Sequence, residues 1–171
     1  MTDTASAPSP LPYTDSKPVG HADFYFAINA TFRFIQRHKG EAALRQYWSD
    51  IGRSYYRPVA ERWREQGFTG VADYWRAFFQ AEPGAEIEVV ESPDEVRLEV
   101  KRCPAIHHLR SHDRDIVPNF CQHCYFVNEA IAQQAGMTAR VCGGNGACTQ
   151  RFLKQTAGVP PQNLEDIPTA S

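Results

Sequence analysis

The sequence predicts an α+β fold in which N-terminal helices pack on a small antiparallel sheet, with one further helix between the two hairpins of that sheet. Two periods in the apolar residues, and one change between them, support this class. Over residues 22–80 apolar residues such as Phe24 and Ile28 recur at spacings of three and four, which is typical of amphipathic helices. Further along, Ile87 and Val89 begin an alternation of period two, which is typical of strands.

The helical part is divided by glycines. Gly40, Gly67 and Gly84 stand where helices are expected to stop. Pro58 suits the first turn of a helix that runs towards Gln66, because proline lacks the N–H that such a position leaves unpaired anyway.

The first hairpin is predicted from alternation and from a turn. Val96, Leu98 and Val100 are separated by charged residues, so one face of this strand is buried and the other faces water. Residues 91–94 are Glu-Ser-Pro-Asp, which suits a tight turn back to the strand that holds Ile87.

A helix and a second hairpin complete the predicted fold. The helix covers residues 119–135, with Asn119 as its N-cap and Gly136 as its stop. Runs 138–142 and 147–153 are strands joined by a glycine-rich turn.

These elements suggest one domain over residues 21–157, preceded by a disordered arm (1–20) and followed by an extended tail (158–171). Acidic and basic residues nearly cancel, with a formal net charge of -2, so neither nucleic acid nor a membrane is an expected partner. The sequence has no signal-like apolar segment, which favours a cytoplasmic location. Five cysteines in such a chain are expected to be reduced or metal-bound rather than paired as disulfides.

Four of these cysteines predict a metal centre. Cys121 and Cys124 lie three apart on the predicted helix, and Cys142 and Cys148 flank the glycine-rich turn. Zinc prefers four soft ligands in structural sites and three plus water in catalytic ones. Zinc is therefore the predicted cofactor, with an iron–sulfur cluster or no metal as alternatives and with Cys103 and His123 as substitute ligands.

The cysteines differ in how strongly they point to a metal. Cys124 falls on an apolar stripe and can be a small core residue, whereas Cys121, near the positive end of the helix, is expected to favour the thiolate. The turn decides whether Cys142 and Cys148 meet: a two-residue turn sends them to opposite sides of the sheet, and a three-residue loop puts them directly across from each other.

Cys103 is the candidate nucleophile. It ends the second predicted strand, and His107 follows within a turn as the candidate base. Three arginines, Arg33, Arg37 and Arg140, are candidates to hold a substrate carboxylate, although each is also an ordinary surface charge.

Four pieces of the segment 102–152 form a recognisable pattern: Arg102-Cys103-Pro104, Pro118-Asn119-Phe120-Cys121, Gly144-Asn145-Gly146-Ala147-Cys148 and Phe152. In these pieces the segment resembles the signature region of the L-2-amino-thiazoline-4-carboxylic acid hydrolase-like family and is more distantly similar to 4-vinyl reductase domains. The resemblance implies an α+β domain that opens a thiazoline ring with water. It also implies that Cys103, Cys121 and Cys148 are functional residues. This chain departs from the family pattern at Cys124, where an acidic residue is usual, and at Cys142, which is additional.

Three functions follow as hypotheses. The first is a hydrolase that opens a cyclic C–N bond in a small thiazoline- or hydantoin-like substrate at the cysteine-rich centre. The second is a non-catalytic small-molecule-binding module with a structural zinc. The third is an accessory subunit of a larger enzyme, or a homo-oligomer, whose aromatic residues meet a protein partner, although their spacing suits the domain's own core better.

Overall fold

The computed structural model describes residues 21–155 and 158–170 and confirms the α+β class. N-terminal helices precede a four-stranded antiparallel sheet. The elements, in chain order, are α1 (Phe24–Asp50), a π-helical turn (Ile51–Tyr55), α2 (Arg57–Gln80), β1 (Glu86–Glu91), β2 (Glu95–Arg102), α3 (Pro104–Ser111), α4 (Gln122–Gln134), β3 (Met137–Gly144), β4 (Ala147–Lys154) and a 3₁₀ turn (Leu164–Asp166).

Both long helices are broken at the glycines that the sequence singles out. The backbone leaves helical angles at Gly40 in α1 and at Gly67 in α2, and in each case the helix resumes at once. The expected stops are therefore kinks rather than loops. Pro58 lies in the first turn of α2, as predicted.

The sheet has the strand order β1-β2-β4-β3, so each hairpin contributes one inner and one edge strand. Both predicted hairpins are confirmed. On β2 the residues Val96, Leu98 and Val100 are buried, while the residues between them carry the charges of the wet face. Ion pairs cover that outer face, such as Lys101 with Glu88 at 2.8 Å.

The inner face of the sheet packs against α2 and α4. Trp63 and Trp75 of α2 contact the Phe152 ring of β4, with ring centroids 5.2 and 5.9 Å away. Ile131 of α4 belongs to the same buried cluster. Most of the aromatic residues that suggested a partner surface therefore pack inside the domain, while Tyr55 and Phe78 are exposed. The set is Trp48, Tyr55, Tyr56, Trp63, Tyr74, Trp75, Phe78 and Phe79.

Two helices, rather than one, lie between the hairpins. The short helix α3 follows Cys103 directly and was not predicted. Helix α4 begins at Gln122, and the residue at its N-cap position is Cys121, two residues after the predicted N-cap Asn119. Asn119 is instead buried, where its Oδ1 accepts a hydrogen bond from Gln36 at 3.4 Å.

The C-terminal segment packs along the edge strand β3. The Gln162 side chain accepts from the Val141 N–H and donates to the Val141 carbonyl, both at 2.9 Å. The Ala170 N–H donates to the carbonyl of Pro118 at 2.7 Å, beside the start of α4. The predicted arm 1–20 lies outside the described residues, as do residues 156 and 157 at the predicted boundary of the tail. No helix in the described ranges has the length and apolar character that crossing a membrane requires.

Candidate functional site: an aromatic cavity with cysteines in its wall

A cavity of about 350 Å³ lies where α1, α2, α4 and the inner face of the sheet meet. This volume falls in the range of sites for small organic molecules. Helix kinks and the π-helical turn bring aromatic residues of both long helices to one place. The rings in its wall are Tyr25, Phe32, Tyr47, Trp48, Tyr56, Tyr74, Trp75, Phe78, Phe79 and the His123 imidazole.

The wall of this cavity is uncharged. Among the described residues that line it there is no Lys, Arg, Asp or Glu. Burial lowers the pKa of His123, so its ring is neutral at neutral pH. An ion that entered would lose its hydration without gaining a counter-charge, so the cavity favours a neutral guest.

The arginines proposed to hold a carboxylate lie elsewhere. Arg33 forms an ion pair with Asp115 at 2.7 Å, and Arg37 lines a separate surface depression. Arg140 donates to the carbonyl of Pro160 at 2.7 Å. None of the three lines the aromatic cavity.

Several neutral polar groups in the wall can contact a guest. Asn128 donates to the Gln150 side-chain oxygen at 2.6 Å, and both residues are buried. The indole N–H groups of Trp48 and Trp75 are buried and have no hydrogen-bond partner among the described residues. Both indole nitrogens are enclosed by protein atoms, so the polar contacts available to a guest come from other side chains of the wall, such as those of Asn128 and Gln150.

Four cysteines lie within electrostatic range of one another. Cys103 precedes α3, Cys121 and Cys124 lie at the start of α4, and Cys148 faces inward on β4 beside Val100. Cys103 and Cys124 line the cavity directly.

The tip of the β3–β4 hairpin holds two of these cysteines in place. The Asn145 N–H donates to the Cys121 Sγ at 3.2 Å, and the Cys103 N–H donates to the Gly146 carbonyl at 2.8 Å. Each thiol is close enough to its neighbours to influence their pKa values.

Cys142 does not join this group. The connection is the two-residue turn Asn145-Gly146, both residues with positive φ, and this register pairs Cys142 with Thr149. Cys148 pairs with Gly143 on the opposite face, so Cys142 is exposed on the outer side of the sheet. Of the four predicted ligands, the structure thus places Cys142 apart from Cys121, Cys124 and Cys148, and Cys103 lies within electrostatic range of those three instead.

The metal prediction is not supported by a preformed ligand set. Within residues 21–155 and 158–170 there is no group of three or more His, Cys, Asp or Glu side chains arranged to hold an ion. Zinc stays a prediction from the sequence.

Burial, rather than the positive end of helix α4, determines the pKa values of these thiols. Burial raises the pKa of Cys103 to about 11, while the nearby backbone amides of Ile106 and Ala105 partly oppose it. Burial, and next the proximity of Cys124, raise the pKa of Cys121 to about 12. Burial likewise raises the pKa of Cys124 to about 12. The expectation of a Cys121 thiolate is therefore wrong, and these side chains are thiols at neutral pH.

His107 is not the imidazole of the cavity. It is exposed, and its Nε2 meets the Arg102 guanidinium at 2.5 Å. Its backbone N–H donates to the Cys103 carbonyl at 3.0 Å, but its ring does not line the cavity where the Cys103 thiol lies. The structure thus separates the predicted nucleophile from its predicted base.

His123, considered from the sequence only as a substitute ligand, is the imidazole of the cavity. Its Nε2 lies 3.7 Å from the Cys124 Sγ. Its Nδ1 lies 2.6 Å from the carbonyl oxygen of Phe120. A carbonyl can only accept, so Nδ1 carries the proton and Nε2 presents a lone pair to the thiol.

Asn128 and Gln150 were also missed. Both left a signal, because each is a polar residue at a position where the period predicts burial. Asn128 follows Cys124 by one helical turn, and Gln150 alternates with Cys148 and Phe152 on the inner face of β4.

Together, the fold and the site define an α+β protein with an internal aromatic cavity and thiols in its wall. Comparison with family models, with curated proteins and with solved structures finds no match to this chain. The function is therefore argued from the site itself.

Proposed function

We propose that this protein binds a small, uncharged, ring-containing molecule in the aromatic cavity and hydrolyses a cyclic C–N bond in it. The observation that carries the proposal is the composition of the cavity wall, in which aromatic rings and thiols occur together without a charged side chain. Aromatic rings stack on flat rings. The side-chain amides of Asn128 and Gln150 in the wall suit the carbonyl and N–H groups of a hydantoin-like ring.

The hydrolytic part of the proposal draws on the thiols. Cys103 and Cys124 reach the cavity, and a thiol can form a covalent intermediate with an electrophilic ring carbon. The resemblance to thiazoline-opening hydrolases points to the same bond class. A carboxylate on the substrate fits less well, because the cavity lacks a cation among the described residues that line it.

A non-catalytic binding module is the second candidate. It is favoured by the raised pKa values of the thiols, since a thiol that stays protonated at neutral pH reacts slowly with an electrophile. The two candidates share the cavity and its guest, and they differ only in whether product is released.

The experiment compares matched ligands. The protein is titrated with 5-phenylhydantoin and with the analogue that carries a carboxylate on the phenyl ring. Quenching of tryptophan fluorescence reports binding, and mass spectrometry reports opening of the hydantoin ring. We expect the neutral compound to bind at least about tenfold more tightly, a difference of about 1.4 kcal/mol. Tighter binding of the carboxylate would contradict the proposal.

A pair of neighbouring substitutions tests the location of binding. Thr31 is exposed and lines the cavity, so Thr31→Phe places a ring in its mouth without overpacking the core. Ala30 is equally exposed on the same helix but lines a different depression, so Ala30→Phe is the matched control. We expect Thr31→Phe alone to weaken binding, and an equal loss in both variants would place the guest elsewhere.

A further inference from the structure

The first residues of α4 place a thiol and an imidazole in contact at the cavity wall. The Cys124 Sγ and the His123 Nε2 are 3.7 Å apart, and both side chains line the cavity. The Phe120 carbonyl accepts from the other ring nitrogen at 2.6 Å. A nucleophile within reach of a base, with the base oriented by a third group, is the arrangement that activates cysteine in covalent catalysis.

We propose that Cys124 is the nucleophile and His123 its general base in the ring opening of a neutral cyclic amide. The proposal rests on the proposed function and deepens it by naming the reacting pair and the substrate class. Cys103 and His107, the pair expected from the sequence, lack this geometry, because His107 is exposed and contacts Arg102 instead.

The chemical steps balance with water as the only co-reactant. The Cys124 sulfur attacks the ring carbonyl carbon and its proton moves to the His123 Nε2. The C–N bond then breaks, and the leaving ring nitrogen takes that proton, which leaves a thioester. Water attacks the thioester carbon, gives one proton to Nε2, and the sulfur recovers this proton as the S–C bond breaks. The net change is addition of one water molecule across the C–N bond.

A backbone carbonyl orients the base of this pair. The Phe120 carbonyl fixes the tautomer in which Nε2 is the acceptor. Trp48 packs beside the imidazole, with ring centroids 6.5 Å apart.

The test uses N-phenylmaleimide, a neutral cyclic imide with an aromatic ring, as the reactive probe. Its alkene carbon forms a bond to a thiol sulfur and the thiol proton ends on the adjacent carbon, so the product is stable and can be assigned by peptide mass mapping. At pH 7 we expect Cys124 to be modified at least about tenfold faster than Cys103, since only Cys124 has a base in contact.

Two substitutions of the base keep the test independent of folding. His123→Asn retains an amide N–H for the Phe120 carbonyl, and His123→Gln places an amide near the Nε2 position, yet neither supplies a base. We expect both to slow modification of Cys124 about 100-fold, while the rate at Cys103 is unchanged. Unfolding curves confirm that the variants are folded.

The outcomes separate this proposal from the proposed function. If 5-phenylhydantoin binds but Cys124 reacts no faster than Cys103, or reacts equally fast without His123, the catalytic pair is refuted while the binding cavity stands. If the hydantoin does not bind at all, the proposed function itself is overturned. Protection of Cys124 by a bound metal ion, reversed by a chelator, would also refute its role as a free nucleophile.

Discussion

Gly52 has no side chain, and this allows the backbone of the π-helical turn to lie close to α4. A Cβ added at this position would lie 2.5 Å from the Val127 carbonyl oxygen and 2.7 Å from the Ala130 Cβ. The Gly52 carbonyl also accepts a hydrogen bond from the Gln134 side chain at 3.2 Å, which holds the two segments together. Gly52→Ala must therefore push α4 away by about 1 Å to restore ordinary contact distances.

The expected net effect is a loss of about 2 kcal/mol in the free energy of unfolding. Overpacking a close contact costs about 1–3 kcal/mol, and the upper end applies because one clash is with the backbone. Replacing glycine by alanine in a helix returns about 0.5–1 kcal/mol. The clash therefore outweighs the gain in helix propensity.

Urea unfolding followed by far-ultraviolet circular dichroism measures this loss. Ser54→Ala is the control in the same turn, because Ser54 is exposed and its change is expected to stay within about 0.5 kcal/mol. Since α4 carries His123 and Cys124, Gly52→Ala is also expected to weaken hydantoin binding. A Gly52→Ala protein as stable as the original would refute the close approach between the turn and α4.

Three further predictions concern the cavity and its thiols. Asn128→Leu leaves the buried Gln150 oxygen without its donor and is expected to cost about 1–3 kcal/mol in urea unfolding, whereas the double variant that also replaces Gln150 by Leu recovers part of this loss. In the folded protein the pKa values of Cys103 and Cys121 are raised to about 11 and about 12, so the thiols of the unfolded chain ionise first as pH rises. The free energy of unfolding is therefore expected to fall as pH rises above about 9. It is expected to fall less steeply in the Cys103→Ala, Cys121→Ala double variant. Elemental analysis tests the zinc prediction: an ion held by the inward-facing cysteines is lost on Cys121→Ala and kept on Cys142→Ala.

The parts of the fold that local pattern determines were predictable. Alternation on β2 identified the first hairpin, because Val96, Leu98 and Val100 need only their own neighbours in sequence to define a buried face. The eight-residue helix α3 was not predicted, since a segment this short leaves too few turns for a helical period to show. The kinks at Gly40 and Gly67 were identified as breaks, but whether a helix resumes after a break depends on packing that the local sequence does not reveal.

The sequence predicted that cysteines lie close together, but not which cysteines these are. The sequence left two registers open for the second hairpin, and the choice of the two-residue turn moved Cys142 to the outer face. Cys103 joined the group through a backbone hydrogen bond to Gly146, a contact between residues far apart in the chain. Such contacts depend on how the hairpin tip docks, which spacing alone cannot supply.

The orientation of His123 depends on where α4 begins, and helix ends are the least certain feature of a sequence-based prediction. Had the helix started at Asn119 as expected, the Phe120 carbonyl would accept the N–H of Cys124, four residues on. Because α4 starts at Gln122, Cys124 donates to Cys121 instead, and the Phe120 carbonyl accepts both the backbone N–H and the ring N–H of His123. A shift of two residues in the N-cap of this helix thus decides which ring nitrogen of His123 faces the Cys124 thiol, on which the proposed chemistry depends.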